Sequence, residues 1–382
     1  MKILIALTYY RPHVSGLTIY VERLARALAA RGNSVTVLTS QYDAQLPRQE
    51  VAHGVNVVRV PVAARISKGV VMPTFGLHAN KLVPAHDVLS IHLPQLDAAG
   101  LALRGPLFNR PVALTYHSDL LLPPSPLNFV AGNVIYAANH IAARFSKAIV
   151  GYTEDFARHS FFLSKYLDKV TIIPPPVEMP QPTPEAVRAF REKHGLNPAR
   201  RPVIGLAVRL AAEKGVEYLF EAMPKILAQY PNAFILHAGP REAIGEAEYV
   251  RKIEPLVEQY KDHYLHVGTL NAEQMALFFS CCDVHVLPSI NSTETFGLVQ
   301  IEAALCGTPS VASALPGVRM PTQMTGMGLT TPPKDSVALA ENILQVLNHR
   351  EQYVRPRGPI AEMFSPNTTA AKYEELFAKL KN

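Results

Sequence analysis

At 382 residues the chain is long enough for two domains, and 48% of it is hydrophobic, enough to build a core in each. Its three cysteines, two of them adjacent at Cys281 and Cys282, form no disulfide framework and no CxxC metal pattern, which suits a reducing compartment. The net charge of +6 is uneven: residues 1–180 carry 17 Lys and Arg against 10 Asp and Glu, and residues 181–382 carry 20 against 21.

An anionic surface partner is therefore expected on the first half, unless the basicity serves only solubility, and no nucleic-acid partner is expected. The opening Lys2-Ile-Leu-Ile-Ala-Leu7 is too short for a signal segment and reads as a first strand. No apolar run reaches the roughly 20 residues of a membrane span, so a cytoplasmic protein is expected, soluble or at the inner face of the membrane.

Thr8 to Gly16 forms a turn, and Leu17, Tyr20, Val21, Leu24 and Leu28 then recur at helical spacing. Gly32 ends that helix, and Ser34–Thr39 is a second strand. The result is a βαβ unit without GxGxxG, which argues against a dinucleotide oxidoreductase. Ser15-Gly16 is either a plain turn or a place where a ligand approaches the backbone. Val55–Val60 reads as a strand. Residues 61–82 mix Arg65, Lys68 and Lys81 with Ile66, Val70, Val71, Met72 and Phe75. That mixture predicts a loop and helix, and suits a membrane-surface contact or an ordinary helix edge. Val88–Leu93 and Val112–Tyr116 are strands, and His117 follows the second. Open α/β sheets place ligand-binding residues there, although a structural histidine fits as well. Leu120–Leu127 reads as an apolar, proline-rich loop, Ala137–Lys147 as a helix, and Ala148–Thr153 and Val170–Ile173 as strands.

Six prolines from Pro174 to Pro184 mark the domain boundary. The alternation then resumes. Pro202–Val208 is a strand and Val216–Gln229 a helix. Arg209 and Lys214 lie between them, either a diphosphate clamp or a solvated loop. Phe234–His237 and Tyr264–Val267 are strands, and Asn271 with Gln274 forms a capping box. Cys282–Pro288 is a buried strand. After it comes Glu294-Thr-Phe-Gly-Leu-Val-Gln-Ile-Glu302, where Phe296, Gly297 and Leu298 offer N–H groups at a helix N-terminus, a site for phosphate. Glu302 borders that helix's apolar stripe and needs hydrogen-bond donors such as sugar hydroxyls, unless both glutamates are ordinary surface and capping residues. Gly307 stops the helix. Ser310–Ala312 is a strand, and Ser336–Asn348 and about 367–381 are helices.

The chain lacks DxD, HExxH, GxSxG and Walker A patterns. Strands alternating with helices in both halves predict an α/β protein of two doubly wound, Rossmann-like domains facing a cleft.

Four motifs carry a family likeness: Pro12…Ser15-Gly16, Thr115-Tyr-His117, Arg209…Glu213-Lys214-Gly215, and Glu294-x7-Glu302 within Pro288-Ser289…Cys306-Gly-Thr-Pro309. On these the chain resembles the family-4 retaining glycosyltransferases of GT-B fold over nearly its whole length. The resemblance implies an acceptor-side domain at 1–178 and a nucleotide-sugar domain at 186–365, with the last helix, about 366–382, crossing back to the first. It implies a hexosyltransferase that uses a UDP- or GDP-linked sugar, with no separate cofactor and no metal. Arg209 and Lys214 would bind the diphosphate. Phe296, Gly297 and Leu298 would help hold phosphate and sugar, Glu294 the sugar hydroxyls, and Glu302 the ribose diol. Gly268, Thr269 and Leu270 would meet the base, His117 the donor sugar, and Gly16 the phosphate and acceptor. Transfer would proceed on the front face with retention, the leaving phosphate taking the acceptor proton.

The chain departs from the family pattern at Ser15, where paired glycines are usual, and at Pro175-Pro176, where Asn-Gly is usual. The loop Pro316-Gly317-Val318-Arg319 lacks the family's acidic residue. The basic first half and the 61–82 segment favour a lipid-linked or membrane-surface acceptor, with a small soluble acceptor as the rival. A sugar-nucleotide epimerase of similar fold, or a binding protein without catalysis, would share the donor site but need no acceptor.

Overall fold

The structure, a computed structural model, describes residues 1–66, 69–121, 126–196, 200–241 and 246–381. Lys68 and residues 122–125 of the apolar loop lie outside the described residues. The chain divides into two compact units, Met1–Pro176 with Phe364–Asn382, and Val177–Met363.

The first unit runs β1 (Lys2–Ala6), α1 (Gly16–Ala30), β2 (Ser34–Gln41), β3 (Gln49–Ala52), β4 (Val55–Pro61), β5 (Ala64–Ile66), β6 (Gly69–Val71) and α2 (Phe75–Leu82). It continues β7 (Val88–Leu93), α3 (Ala98–Leu107), β8 (Val112–Tyr116), α4 (Pro126–Phe145), β9 (Ala148–Gly151), α5 (Glu154–His159) and β10 (Val170–Ile172). Its main sheet has the order β10-β9-β8-β7-β1-β2-β4-β3, parallel except for the β3–β4 edge. Every residue of β7, β8 and β9 is buried, as expected of parallel strands covered on both faces. Helix α1 starts at a capping box in which Ser15 and Thr18 satisfy each other's N–H groups. It buries Tyr20, Val21, Leu24 and Leu28; Leu17 is only half-buried, and Thr18 takes the inward place.

Two local expectations change in this unit, and one strand, β3, had no reading in the sequence. Residues 61–82, expected as loop and helix, form the β5–β6 hairpin in place of the loop and then the helix α2. Val70, Met72 and Phe75 are buried in the core, and the Arg65 guanidinium bonds the Tyr42 carbonyl. Val71 is half-buried, and Leu77 of the same segment stays exposed at 70%. Helix α4 starts at Pro126, inside the stretch read as loop. The strand β3 pairs with β4 through His53 and Gly54, both at positive φ, the geometry of a tight hairpin turn.

The second unit runs α6 (Pro184–Lys193), β11 (Val203–Ala207), α7 (Val216–Gln229), β12 (Phe234–Ala238), α8 (Ala247–Gln259), β13 (Tyr264–His266), α9 (Ala272–Cys281) and β14 (Val284–Leu287). Then come α10 (Leu298–Leu305), β15 (Ser310–Ser313), α11 (Met320–Thr325), β16 (Gly328–Thr331), α12 (Ser336–Asn348) and α13 (Arg357–Phe364). Its sheet is wholly parallel in the order β13-β12-β11-β14-β15-β16. Counted from its own first strand this is 3-2-1-4-5-6, the doubly wound order with its switch point between β11 and β14.

The final helix, α14 (Pro366–Lys381), belongs to the first unit. It buries Thr369, Ala370, Tyr373, Leu376 and Phe377, and Arg31 at the end of α1 bonds its Glu374 at 2.8 Å. The Tyr373 hydroxyl lies 2.8 Å from both the Tyr20 hydroxyl and the Thr115 hydroxyl.

Candidate active site

In open parallel sheets the carboxyl ends of the strands at the switch point leave a crevice, because the crossover helices depart in opposite directions. In the second unit the loops after β11 and β14 border that point. The first carries Arg209 to Gly215, the second Pro288 to Gly297. The Ile290 N–H donates to the Glu213 carbonyl at 2.9 Å and ties the two loops together.

Side chains join across the same seam. Lys214 Nζ lies 2.6 Å from Glu294 Oε2, both side chains mostly buried. Arg209 pairs with Glu213 four residues on, and its side chain is the more exposed partner. A lysine and a carboxylate 80 positions apart thus meet because β11 and β14 are neighbours in the sheet. Each cation has one carboxylate partner and N–H donors remaining, so an anionic ligand finds donors in place.

The backbone is shaped for close approach. Gly215 takes φ 59°, and a Cβ there would lie 2.4 Å from the Pro288 carbonyl oxygen, so only glycine lets the two loops touch. Gly297 caps α10 at φ 76°, and a Cβ would fall 2.5 Å from Leu287 Cδ2 and 2.7 Å from Gln300 Nε2. Leu298 opens α10, whose first N–H groups have no intrahelical acceptor and carry the positive end of the helix dipole. Phe296 is buried at 1% exposure beneath that end, and Gln300 Nε2 donates to the Phe296 carbonyl at 3.1 Å and the Val318 carbonyl at 2.9 Å. The Glu294 N–H donates to the Asn291 carbonyl at 3.3 Å, and Asn291 Oδ1 accepts from the Thr293 N–H and hydroxyl, which folds the loop into an Asx-turn.

Of the residues singled out from sequence, Arg209, Lys214, Glu294, Phe296, Gly297 and Leu298 stand on these two adjoining loops. Glu302 lies four residues into α10 and is half-buried. Gly268, Thr269 and Leu270 follow β13 at the far end of the same sheet edge; Gly268 has φ 79°, and its carbonyl accepts the Gly239 N–H at 2.9 Å.

Gly16 and His117 belong to the first unit. Gly16 is exposed at the start of α1, and a Cβ there would meet nothing within 4 Å. His117 follows β8, is 6% exposed, and has both ring nitrogens engaged: Nε2 lies 2.8 Å from His92 Nδ1, and Nδ1 bonds the Tyr152 hydroxyl.

Sequence reasoning gave no role to Glu213, Ser289 or Gln300. Glu213 sits in the same turn as Arg209, and loop spacing gave no signal of their pairing. Ser289 is fully buried just past β14, and its hydroxyl has no hydrogen-bond partner among the described residues. Among the described residues no three His, Cys, Asp or Glu side chains are grouped to hold a metal ion, and no helix is long and apolar enough to cross a membrane.

Residues 15–176 match the family described as glycosyl transferase 4-like domain, and residues 187–358 match the glycosyl transferases group 1 family. The chain is 30% identical over 338 residues to a D-inositol 3-phosphate glycosyltransferase of Xylanimonas cellulosilytica, covering 80% of this chain and 76% of that one. It is 25% identical over 327 residues to the GDP-mannose-dependent alpha-(1-6)-phosphatidylinositol monomannoside mannosyltransferase of Mycolicibacterium smegmatis, covering 79% and 78%. In fold it is similar to sucrose-phosphate synthase of Thermosynechococcus elongatus, with TM-score 0.79 and 23% identity over 99% of this chain and 98% of the other. The Anabaena protein HepE, solved in complex with UDP-glucose, superposes with TM-score 0.78 at 19% identity over 99% and 100% of the chains. With two doubly wound units, a cationic seam at the switch point of the second, and these likenesses across both halves, the chain belongs to the family-4 glycosyltransferases of GT-B fold.

Proposed function

We propose that the protein transfers a hexose from a UDP- or GDP-linked donor to a hydroxyl of an inositol phosphate or phosphatidylinositol-type acceptor, with retention and without a metal. The observation that carries the donor half is the Lys214–Glu294 pair beside the α10 N-terminus. A diphosphate can draw Lys214 and Arg209 away from their carboxylates, and Glu294, so released, accepts hydrogen bonds from sugar hydroxyls. Lys214, Arg209 and the α10 N–H groups then supply the charge stabilisation that leaving phosphate needs, in the place a metal would otherwise take. Glu302 reaches the ribose diol, Gly268 to Leu270 the base, and His117 the sugar. The bond from the anomeric carbon to the β-phosphate oxygen breaks. The acceptor oxygen bonds the same face, and its proton passes to the leaving phosphate.

The acceptor reading is supported by the inositol-based acceptors in the names of the two relatives and by the excess of basic residues in the first half. That excess also suits a peripheral contact with an anionic membrane.

The test is a matrix of UDP-glucose, UDP-N-acetylglucosamine and GDP-mannose against inositol 1-phosphate, inositol 3-phosphate and phosphatidylinositol vesicles, with EDTA present. Glycosylated product with the donor's anomeric configuration is expected. No product with any pair, inversion at the anomeric carbon, or loss of activity in EDTA each removes the corresponding part. A changed sugar nucleotide formed without acceptor would mark an epimerase instead.

A further inference from the structure

A chain of polar side chains runs inward from the end of β8 in the first unit. The Tyr152 hydroxyl bonds His117 Nδ1, His117 Nε2 lies 2.8 Å from His92 Nδ1, and His92 Nε2 lies 3.4 Å from the Ser90 hydroxyl. His92 stands within β7 opposite Thr115 and is fully buried. The two imidazoles stack at 5.1 Å, and Tyr20 meets His117 edge-on at 4.9 Å and stacks on Tyr152 at 5.3 Å. The His117 backbone is fixed as well, since its N–H donates to the Leu93 carbonyl at 3.1 Å. Ring and backbone therefore have one placement.

Burial pulls both imidazoles far below their usual range, His92 to about 3, so each is neutral at pH 7 with one N–H and one bare nitrogen. Burial also keeps Tyr152 protonated. Two directions of hydrogen bonding satisfy the chain. A phenol donates to imidazole better than it accepts from it, and this selects one direction: Tyr152 O–H to His117 Nδ1, His117 Nε2–H to His92 Nδ1, and His92 Nε2–H to Ser90.

We propose that His92 is a positioning residue that locks His117 in its Nε2–H tautomer, leaving Nδ1 as an acceptor that a hydroxyl of the donor sugar takes over from Tyr152. The sugar O–H replaces the phenol O–H at Nδ1, so sugar binding leaves no buried nitrogen bare, at the cost of that acceptor to the Tyr152 hydroxyl. The inference rests on the reading of His117 as a sugar-contacting residue.

The test has two arms. In protein labelled with 15N-histidine, long-range proton–nitrogen spectra at pH 7, assigned with His92→Asn and His117→Asn, are expected to show Nε2–H on both rings; Nδ1–H on His117 overturns the proposal. In turnover of UDP-glucose or GDP-mannose, followed as nucleotide release, His92→Phe is expected to lower kcat by roughly ten- to a hundredfold with little change in donor KM. His92→Asn, whose side-chain oxygen can accept the His117 Nε2–H, recovers most of that loss. Wild-type kcat in His92→Phe, or an equal loss in both variants, also overturns it. Wild-type turnover by His117→Ala would instead remove the functional reading of His117 itself, and the role of His92 with it.

Discussion

Lys214 and Glu294, on separate loops and 2.6 Å apart, neutralise each other. Removing one partner leaves the other charge mostly buried and unpaired, while removing both does not. Lys214→Met and Glu294→Gln are each expected to lower stability by about 1–3 kcal/mol, and the double variant to lose less than their sum. Denaturant titration of the four proteins checks this. Turnover behaves differently: Lys214→Met is expected to lower kcat by about 100-fold or more, with no recovery in the double variant, because the charge acts on the donor.

Gly215 has no room for a side chain. Its Cβ would lie 2.4 Å from the Pro288 carbonyl, a backbone atom that cannot swing aside, at a φ that alanine resists. Gly215→Ala should separate the two loops, weaken donor binding, and lower stability by roughly 1–3 kcal/mol. A thermal shift with UDP-glucose or GDP-mannose reads both effects. Unchanged melting and binding would mean that the loops do not touch there.

Much of this seam was legible in sequence, and the reason is physical. Strands buried on both faces read as continuous apolar runs, so β7, β8 and β11 stood out, as did the helices α7 and α12. The residues at strand ends, Arg209, Lys214 and Glu294, could be placed by counting. The short, half-exposed β3, β5 and β6 gave no such run, because turn geometry and not burial defines them. Within 61–82 the helix α2 was legible and the β5–β6 hairpin before it was not, because a hairpin folds Val70 inward without a longer apolar run to announce it. The pairing of Lys214 with Glu294 was hidden because it depends on β11 lying beside β14, a neighbour relation that chain order does not reveal.

Buried histidines set the response to acid. Burial depresses His92 and His285 to about 3 and His237 to about 4. The unfolded chain takes up these protons near pH 6.5, the folded chain only far lower. Stability is therefore full above about pH 6.5 and falls as pH drops toward 4, by up to about 1.4 kcal/mol per pH unit for each histidine. Urea unfolding at pH 7, 6 and 5 should show the decline, and His285→Leu should flatten it. A profile unaltered by that substitution would mean His285 is charged in the folded protein.

Tyr373 places the only hydroxyl of α14 that meets both Tyr20 and Thr115, all three groups buried. Tyr373→Phe leaves two hydroxyls short of a partner and is expected to cost about 1–3 kcal/mol. Adding Tyr20→Phe and Thr115→Val should recover part of it, measured by the same urea titration.

The same helix has a consequence for synthesis. The first unit takes its closing layer from Pro366–Lys381, so the ribosome must finish the second unit before the first has all of its walls. Until then the side of α1 that receives Tyr373 faces water or a chaperone. The opening residues of the chain are thus among the last to reach their final surroundings. A stop codon a few helical turns early would leave the first unit unfinished.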